Sequence, residues 1–242
     1  MAASGAQASP GDAAAIAAFL AGRGVKRGAR ILDAPCGLGR RALALAEEGF
    51  HVTAVDPNSV GIEAARARVP ASLAARLHFV CVPKEELPGP TPRERVDAVL
   101  CLDHALARGT QDEDLALLAR FADRLAPSGV LVVELLNRDF FTARPRPFAF
   151  HVVGNLEQHE FRTFDPGTGV LELRWEVYER EGQDLRHRMD SSATLRLLTP
   201  HEARALLETA GWELREIVGG WEGEALGADR RKLLLVAQRA RP

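Results

Sequence analysis

The chain has no surplus of charge of either sign: 31 Lys and Arg stand against 33 Asp and Glu, for a formal net charge of -2. Without a basic footprint, duplex nucleic acid is not a favoured partner. Cysteine is scarce. Cys36, Cys81 and Cys101 are odd in number and lack metal-ligand spacing, so they read as reduced thiols beside buried strands, and no metal is assigned. The histidines His151, His159 and His187 show no i, i+4 spacing that would change this. No apolar run reaches membrane-spanning length, and the Ala/Ser/Gly-rich start lacks the basic and apolar regions of a signal peptide. The expected location is the cytoplasm, without a membrane partner. There is no internal repeat.

What is present is one substantial apolar content, 46% of 242 residues, enough for a single core. It is organised around Ile31-Leu-Asp-Ala-Pro-Cys-Gly-Leu-Gly-Arg40 and the acid Asp56. The run reads as strand, glycine turn, helix, strand, acid. Gly37 and Gly39 let backbone approach a ligand where a Cβ would collide. Asp56 ends the β-branched run His51–Asp56, where a carboxylate can accept two hydrogen bonds from a ribose diol. An adenosine cofactor is implied. Gly37-x-Gly39-x-x-Ala42 with an acid nineteen positions after Gly37 also satisfies a dinucleotide fingerprint. Asp33, however, lies at the carboxyl end of the first strand. An acid there repels a pyrophosphate but attracts the ammonium and sulfonium of S-adenosylmethionine, which favours the cationic methyl donor.

Taken in order, residues 1–11 form a leader, and a helix from about Asp12, capped by that residue, places Ile16, Phe19 and Leu20 on one face. Helices then alternate with strands near Leu77–Val82, Val96–Leu102 and Val130–Leu136, with Asn58 capping the helix after Asp56. That alternation requires a doubly wound parallel α/β sheet, whose ligands bind beyond the carboxyl ends of the strands. Asp33, Asp56, His104 and Asn137 all belong to that edge. The rhythm changes at about residue 142. Thr142-Ala-Arg-Pro-Arg-Pro147 is read as irregular, and Phe161–Phe164, Val170–Tyr178 and Leu185–Leu197 alternate as an antiparallel insertion over residues 142–197. Thr199 and Glu202 form a capping box for a following helix, and Trp212–Val218 pairs with Lys232–Ala237 to close the chain.

Asp33-Ala-Pro-Cys-Gly-Leu-Gly, Asp56, Leu125-Ala-Pro-Ser-Gly-Val-Leu and the ending from Ala210-Gly-Trp together resemble the class I S-adenosylmethionine-dependent methyltransferases. Leu135-Leu-Asn-Arg-Asp, Thr163-Phe-Asp-Pro-Gly-Thr-Gly and Leu195-Arg-Leu-Leu-Thr-Pro-His-Glu are similar to a bacterial small-molecule branch with a β insertion over the active site. The resemblance implies a Rossmann-like seven-stranded sheet, mostly parallel with a carboxyl-terminal antiparallel hairpin, in a single domain over residues 12–242 with 142–197 as a substrate lid. It implies cofactor contacts from Asp33, Ala34, Pro35, Gly37 and Gly39, from Asp56, Pro57 and Asn58, and from Leu102. The adenine-binding acid of the family is replaced by Pro83-Lys84, leaving Glu85 as its candidate. Arg196 matches an Arg-x-Tyr motif of the branch, with Leu198 in place of the tyrosine.

The expected reaction is transfer of the sulfonium methyl to an oxygen or nitrogen of a small-molecule acceptor, giving S-adenosylhomocysteine. An NAD(P)-binding oxidoreductase and a non-catalytic partner subunit of the same fold are the alternatives. His104, an imidazole at the edge of the fourth strand, is the candidate general base. Asn137, Arg138, Arg196 and Trp175 are the candidate acceptor contacts. Cys36 lies inside the cofactor turn and reads as structural, and no Asn/Asp-Pro-Pro-Tyr-like run follows the fourth strand, which argues against base methylation. The expected assembly is a monomer or a homodimer.

Overall fold

The computed structural model of the protein describes residues 10–83, 86 and 95–240. In chain order the elements are α1 (Pro10–Ala21), β1 (Arg30–Asp33), α2 (Arg40–Glu47), β2 (His51–Asp56), α3 (Ser59–Arg66), β3 (Leu77–Cys81), β4 (Val96–Cys101), α4 (Gln111–Arg124), β5 (Leu125–Leu136) and α5 (Arg138–Ala143). They continue as β6 (Phe148–Val153), β7 (Leu156–Asp165), β8 (Val170–Glu181), β9 (Asp184–Arg196), α6 (Pro200–Thr209), β10 (Trp212–Val218) and β11 (Lys232–Arg239).

Seven strands form one sheet in the order β10-β11-β5-β4-β1-β2-β3. Strands β1 to β5 are parallel, as helical crossovers require, while β11 runs antiparallel to both β5 and β10. Successive side chains leave a strand on opposite faces, and the core divides accordingly. Ile31, Leu100, Val132 and Leu234 face α1, α2 and α3 through Ile16, Leu20, Leu45 and Ile62. Leu32, Val99, Leu131 and Leu235 face α4 and α6 through Leu118, Phe121 and Leu206. Burial on both faces explains why these strands read as continuous apolar runs. Among the described residues no helix is long and apolar enough to cross a membrane.

Several boundaries differ from the sequence reading. α1 begins at Pro10, so Pro10 and Gly11 belong to a helix rather than a leader, and Asp12 is inside it rather than at its cap. β5 begins directly after α4, at Leu125. Thr142 and Ala143 lie in α5, which continues until Pro145 and Pro147 prevent further helix. The caps at Asn58 and at Thr199 with Glu202 form as expected. The insertion is a four-stranded antiparallel sheet, β6-β7-β8-β9. One of its faces buries Leu171, Leu173, Trp175 and Leu195 against Phe141 of α5. Its first strand, Phe-Ala-Phe-His-Val-Val, escaped the sequence reading because apolar residues point to both faces and leave no alternation.

Gly37 and Gly39 both have positive φ, 57° and 69°, but they are glycine for different reasons. A Cβ at Gly37 would enter open space, whereas one at Gly39 would stand 2.3 Å from Cε1 of Phe79. The second glycine is therefore required by packing of the turn on β3. Gly37→Ala should cost about 1–2 kcal/mol, the left-handed penalty alone. Gly39→Ala should cost clearly more, about 3 kcal/mol or above, because overpacking adds to that penalty. Chemical denaturation of the two variants would measure the difference, and equal costs would refute the packing account.

Candidate active site

The carboxyl edge of β1 and β2 gathers the two acids. Asp56 is braced on both oxygens: Oδ2 accepts the Gly37 N–H at 2.8 Å and Oδ1 accepts the Asn58 N–H at 2.9 Å. It thereby ties the glycine turn to the start of α3, and each carboxylate oxygen retains a lone pair for a further donor. Asp33 is the opposite case. It is fully buried, and neither oxygen has a hydrogen-bond partner among the described residues. Burial pushes its carboxyl up to about 7, against the pull of Arg41 and with help from Asp103 and Asp56. A buried carboxylate without a partner is costly. A cationic ligand group at this turn removes that cost, so the donor set fits an ammonium or sulfonium.

Around Asp33 stand charges that the sequence reading did not single out. Arg41, in the first turn of α2, spans Asp103 with Nη1 and Nη2 at 3.3 and 3.4 Å, and its Nε has no partner among the described residues. Burial alone would weaken this guanidinium's hold on its proton, but Asp103 and Asp33 outweigh it and keep it charged. Arg41 likewise overcomes burial at Asp103 and holds that carboxyl below its usual range. Glu134, buried on β5, accepts from Asp103 N–H at 3.3 Å and from Lys232 Nζ at 2.9 Å. A signal for Arg41 was available. Cations in the first turn oppose the helix dipole, and α2 opens with two arginines and no acid.

The loop after β4 is a knot of hydrogen bonds. Asp103, His104 and Ala107 all adopt left-handed backbone, with φ of 56°, 55° and 60°, a conformation that L-residues other than glycine occupy at a cost. Several bonds impose it. His104 N–H donates to Glu134 O, Arg108 donates to the carbonyls of Asp103 and His104, and Ala107 N–H donates to Asp114 Oδ1 at 2.9 Å. His104 Nδ1 accepts the Leu136 N–H at 3.0 Å, which puts the ring proton on Nε2. Burial and then Arg108 push its pKa down to about 4, with the Arg196 backbone opposing weakly. What weighs against the expected general-base role is that the basic Nδ1 lone pair is already bonded to Leu136 N–H.

The expected acceptor contacts are also committed elsewhere. Asn137 is fully buried; its Nδ2 donates to Gly227 and Arg230 carbonyls and its Oδ1 caps α5 by accepting from Asp139 N–H. Arg138 donates to the Pro166 carbonyl and pairs with Glu202, joining α5 to the insertion and α6. Arg196 pairs with buried Asp114 and donates to the Gly109 carbonyl, fastening β9 to the β4–α4 loop. Trp175 lies in the insertion core with Nε1 bonded to Glu160 at 2.8 Å. All four side chains thus have bonds within the protein. Of the cofactor candidates, Ala34 is buried and bonded to Leu100 O through its N–H, Pro35 precedes the turn, Pro57 is exposed, Asn58 caps α3, and Leu102 lies in the core. Glu85 lies outside the described residues.

The Asp114 carboxylate holds both Ala107 N–H and Arg196, so Asp114→Ala leaves two donors unpaired. The expected loss is about 3 kcal/mol of stability, read by denaturant unfolding, with a rise in protease cleavage near Arg108.

With this geometry in place, comparison with known proteins is direct. Residues 31–129 match the family model of a methyltransferase domain. A ubiquinone biosynthesis O-methyltransferase of Bradyrhizobium diazoefficiens is 35% identical over 130 residues, which cover 52% of this chain and 46% of that protein. The match thus spans about half the length of that relative. Among solved structures, the CcbJ methyltransferase of Streptomyces caelestis superposes with a TM-score of 0.78 at 23% identity, covering 95% of this chain and 90% of that one. An amino pentose methyltransferase of Micromonospora echinaspora, solved with S-adenosylmethionine bound, gives a TM-score of 0.69 at 25% identity and coverage of 97% and 93%. The oxidoreductase and partner-subunit readings find no support in these likenesses. Over residues 31–129 the chain is thus similar to methyltransferase domains, and over nearly its whole length it shares the fold of these methyltransferase structures.

Proposed function

We propose that the protein moves the sulfonium methyl of S-adenosylmethionine onto a nitrogen or oxygen of a small molecule and releases S-adenosylhomocysteine. The observation that carries this reading is Asp33, a buried carboxylate with no partner among the described residues, beside a glycine turn. In the bound state the cofactor supplies a methyl group activated for in-line displacement. Asp33 is assigned to its cationic end, Asp56 to the ribose, Gly37 and its neighbours to close backbone contact, and Arg41 to the carboxylate through its unpartnered Nε edge. The β6–β9 insertion is assigned to the acceptor side. Positioning of the two reactants with exclusion of water supplies much of the rate in such a displacement, on the order of 7 kcal/mol when well oriented.

An amine acceptor suits the site better than a hydroxyl. The imidazole at the β4 edge has its lone pair engaged with Leu136 N–H, so it is not set up to take a proton, and an amine that reaches the site neutral needs no protein base. The Micromonospora relative acts on an amino pentose, and amino sugars are accordingly the first acceptor class to test. A screen of amines and phenols with S-adenosylhomocysteine release as readout should find turnover among the amines.

Three outcomes test the cofactor assignment. Calorimetry should show S-adenosylmethionine binding lost in Asp33→Asn. In the unliganded protein Asp33 holds a proton below about 7, and a cation must displace it. Affinity should therefore fall about tenfold per pH unit below 7 and level off above it; a pH-independent affinity from 5.5 to 8 would rule the assignment out. The folded pKa lies above the unfolded one, so ionisation of Asp33 subtracts stability as pH rises from about 4 through 7. Asp33→Asn should consequently raise the melting temperature of the unliganded protein at pH 8, by roughly 2–4 °C for each kcal/mol relieved. His104→Gln should lower stability while leaving the pH profile of turnover unchanged.

A further inference from the structure

Orphaned polar atoms gather at the carboxyl edge of the main sheet. Asp33, Arg41, His104 and Glu134 each carry a buried side-chain atom with no hydrogen-bond partner among the described residues. Asp33 and Arg41 are assigned to the cofactor, which leaves Glu134 as the acid without a role. It is 2% exposed, and its two oxygens differ. Oε1 accepts Asp103 N–H at 3.3 Å and Lys232 Nζ at 2.9 Å, whereas Oε2 accepts nothing among the described residues. Loop anchoring accounts for Oε1 alone, and a buried carboxylate oxygen left unbonded costs stability.

The fold sets Glu134 across from Asp33. Asp33 is level with Leu100 of β4 and, through it, with Val132 of β5. Glu134 therefore stands two strands over and two residues further out, roughly 10 Å across and about 7 Å beyond the Asp33 position. Alternation puts both acids on the face that Ile31 and Val132 turn to α1, α2 and α3. Between them that face carries Leu100 and then Leu102, both fully buried, so the two carboxylates serve separate ligand groups.

We propose that Glu134 Oε2 receives an N–H of the acceptor amine and so selects primary and secondary amines, an inference that rests on the methyltransferase reading above. The nitrogen donates one hydrogen to Oε2 and turns its lone pair to the methyl carbon. The N–C bond forms from that lone pair, and the C–S pair stays on sulfur as the neutral thioether. The nitrogen becomes an ammonium, which sheds its extra proton to solvent after release. Positive charge thereby moves from sulfur to nitrogen, and a carboxylate beside the nitrogen is worth more in that transition state than before it. A tertiary amine has no N–H to give and is excluded.

Glu134→Gln isolates the bare oxygen, because a glutamine keeps Oε1 for Asp103 and Lys232 and turns only the Oε2 position from acceptor to donor. The first measurement is calorimetry of S-adenosylhomocysteine with the wild type: no binding overturns the methyltransferase reading, and this one with it. In that complex the cofactor's own ammonium occupies Asp33, and methylammonium chloride titrated at pH 8 should bind the wild type at millimolar concentration. Glu134→Gln should bind methylammonium about tenfold more weakly, the loss of one hydrogen bond to a charged group, with its affinity for S-adenosylhomocysteine unchanged. Tetramethylammonium, equal in charge and without an N–H, should bind the wild type no better than it binds the variant, and its comparison with methylammonium in the wild type needs no substitution. Unchanged methylammonium affinity in Glu134→Gln, equal binding of the two cations by the wild type, or loss of S-adenosylhomocysteine affinity in Glu134→Gln, the mark of a cofactor contact, would each overturn the proposal.

Discussion

A carboxylate sealed at the end of β1 with no hydrogen-bond partner among the described residues is the constraint on which the site depends. Asp33 raises the energy of the unliganded protein, because a buried ionised group without a partner is strongly disfavoured. The fold keeps it there by surrounding it with other well-bonded groups. Asp56 is fixed by two backbone N–H groups, Arg41 is drawn to Asp103, and Glu134 is held by Lys232. Each of those acids has its neighbour, so the deficit of positive charge is concentrated at one position.

The same logic runs through the loop after β4. Left-handed backbone at Asp103, His104 and Ala107 is held by bonds from β5, α4 and β9, three elements far apart in the chain. Arg196 and Asp114 join the insertion to this loop, so the insertion sheet and the cofactor edge are mechanically connected. Residues that look like acceptor ligands in the sequence, Asn137, Arg138 and Arg196, are the fasteners of that connection. Polar side chains at the carboxyl edge of such a sheet have two uses, ligand contact and loop anchoring, and buried Asn137 and Asp114 make anchoring bonds here.

How much of this was legible differs by region. The doubly wound sheet followed from continuous apolar runs alternating with amphipathic helices, because strands buried on both faces leave that imprint on composition. The glycine turn and its two acids were also legible, since φ above zero and an acid at a strand end are local requirements. The packing requirement at Gly39 was not legible: its neighbour Phe79 is 40 residues away in sequence and is brought in only by the β2–β3 pairing. β6 was missed because an edge strand apolar on both faces carries no period-two signal.

Local chemistry, then, was determined by the sequence alone: which turn can bend through left-handed backbone, which acid can face a cation, where side chains such as Asn58 and Thr199 cap a helix. Those depend on interactions within a few residues or on the character of a whole run. The state of each polar group was decided by tertiary structure. Whether His104 is a base or a bonded neutral ring depends on Leu136 N–H, 32 residues away, and whether Asn137 is free depends on carbonyls at Gly227 and Arg230. Hydrogen-bond partners and burial set pKa and availability, and both come from residues that only the folded chain brings together.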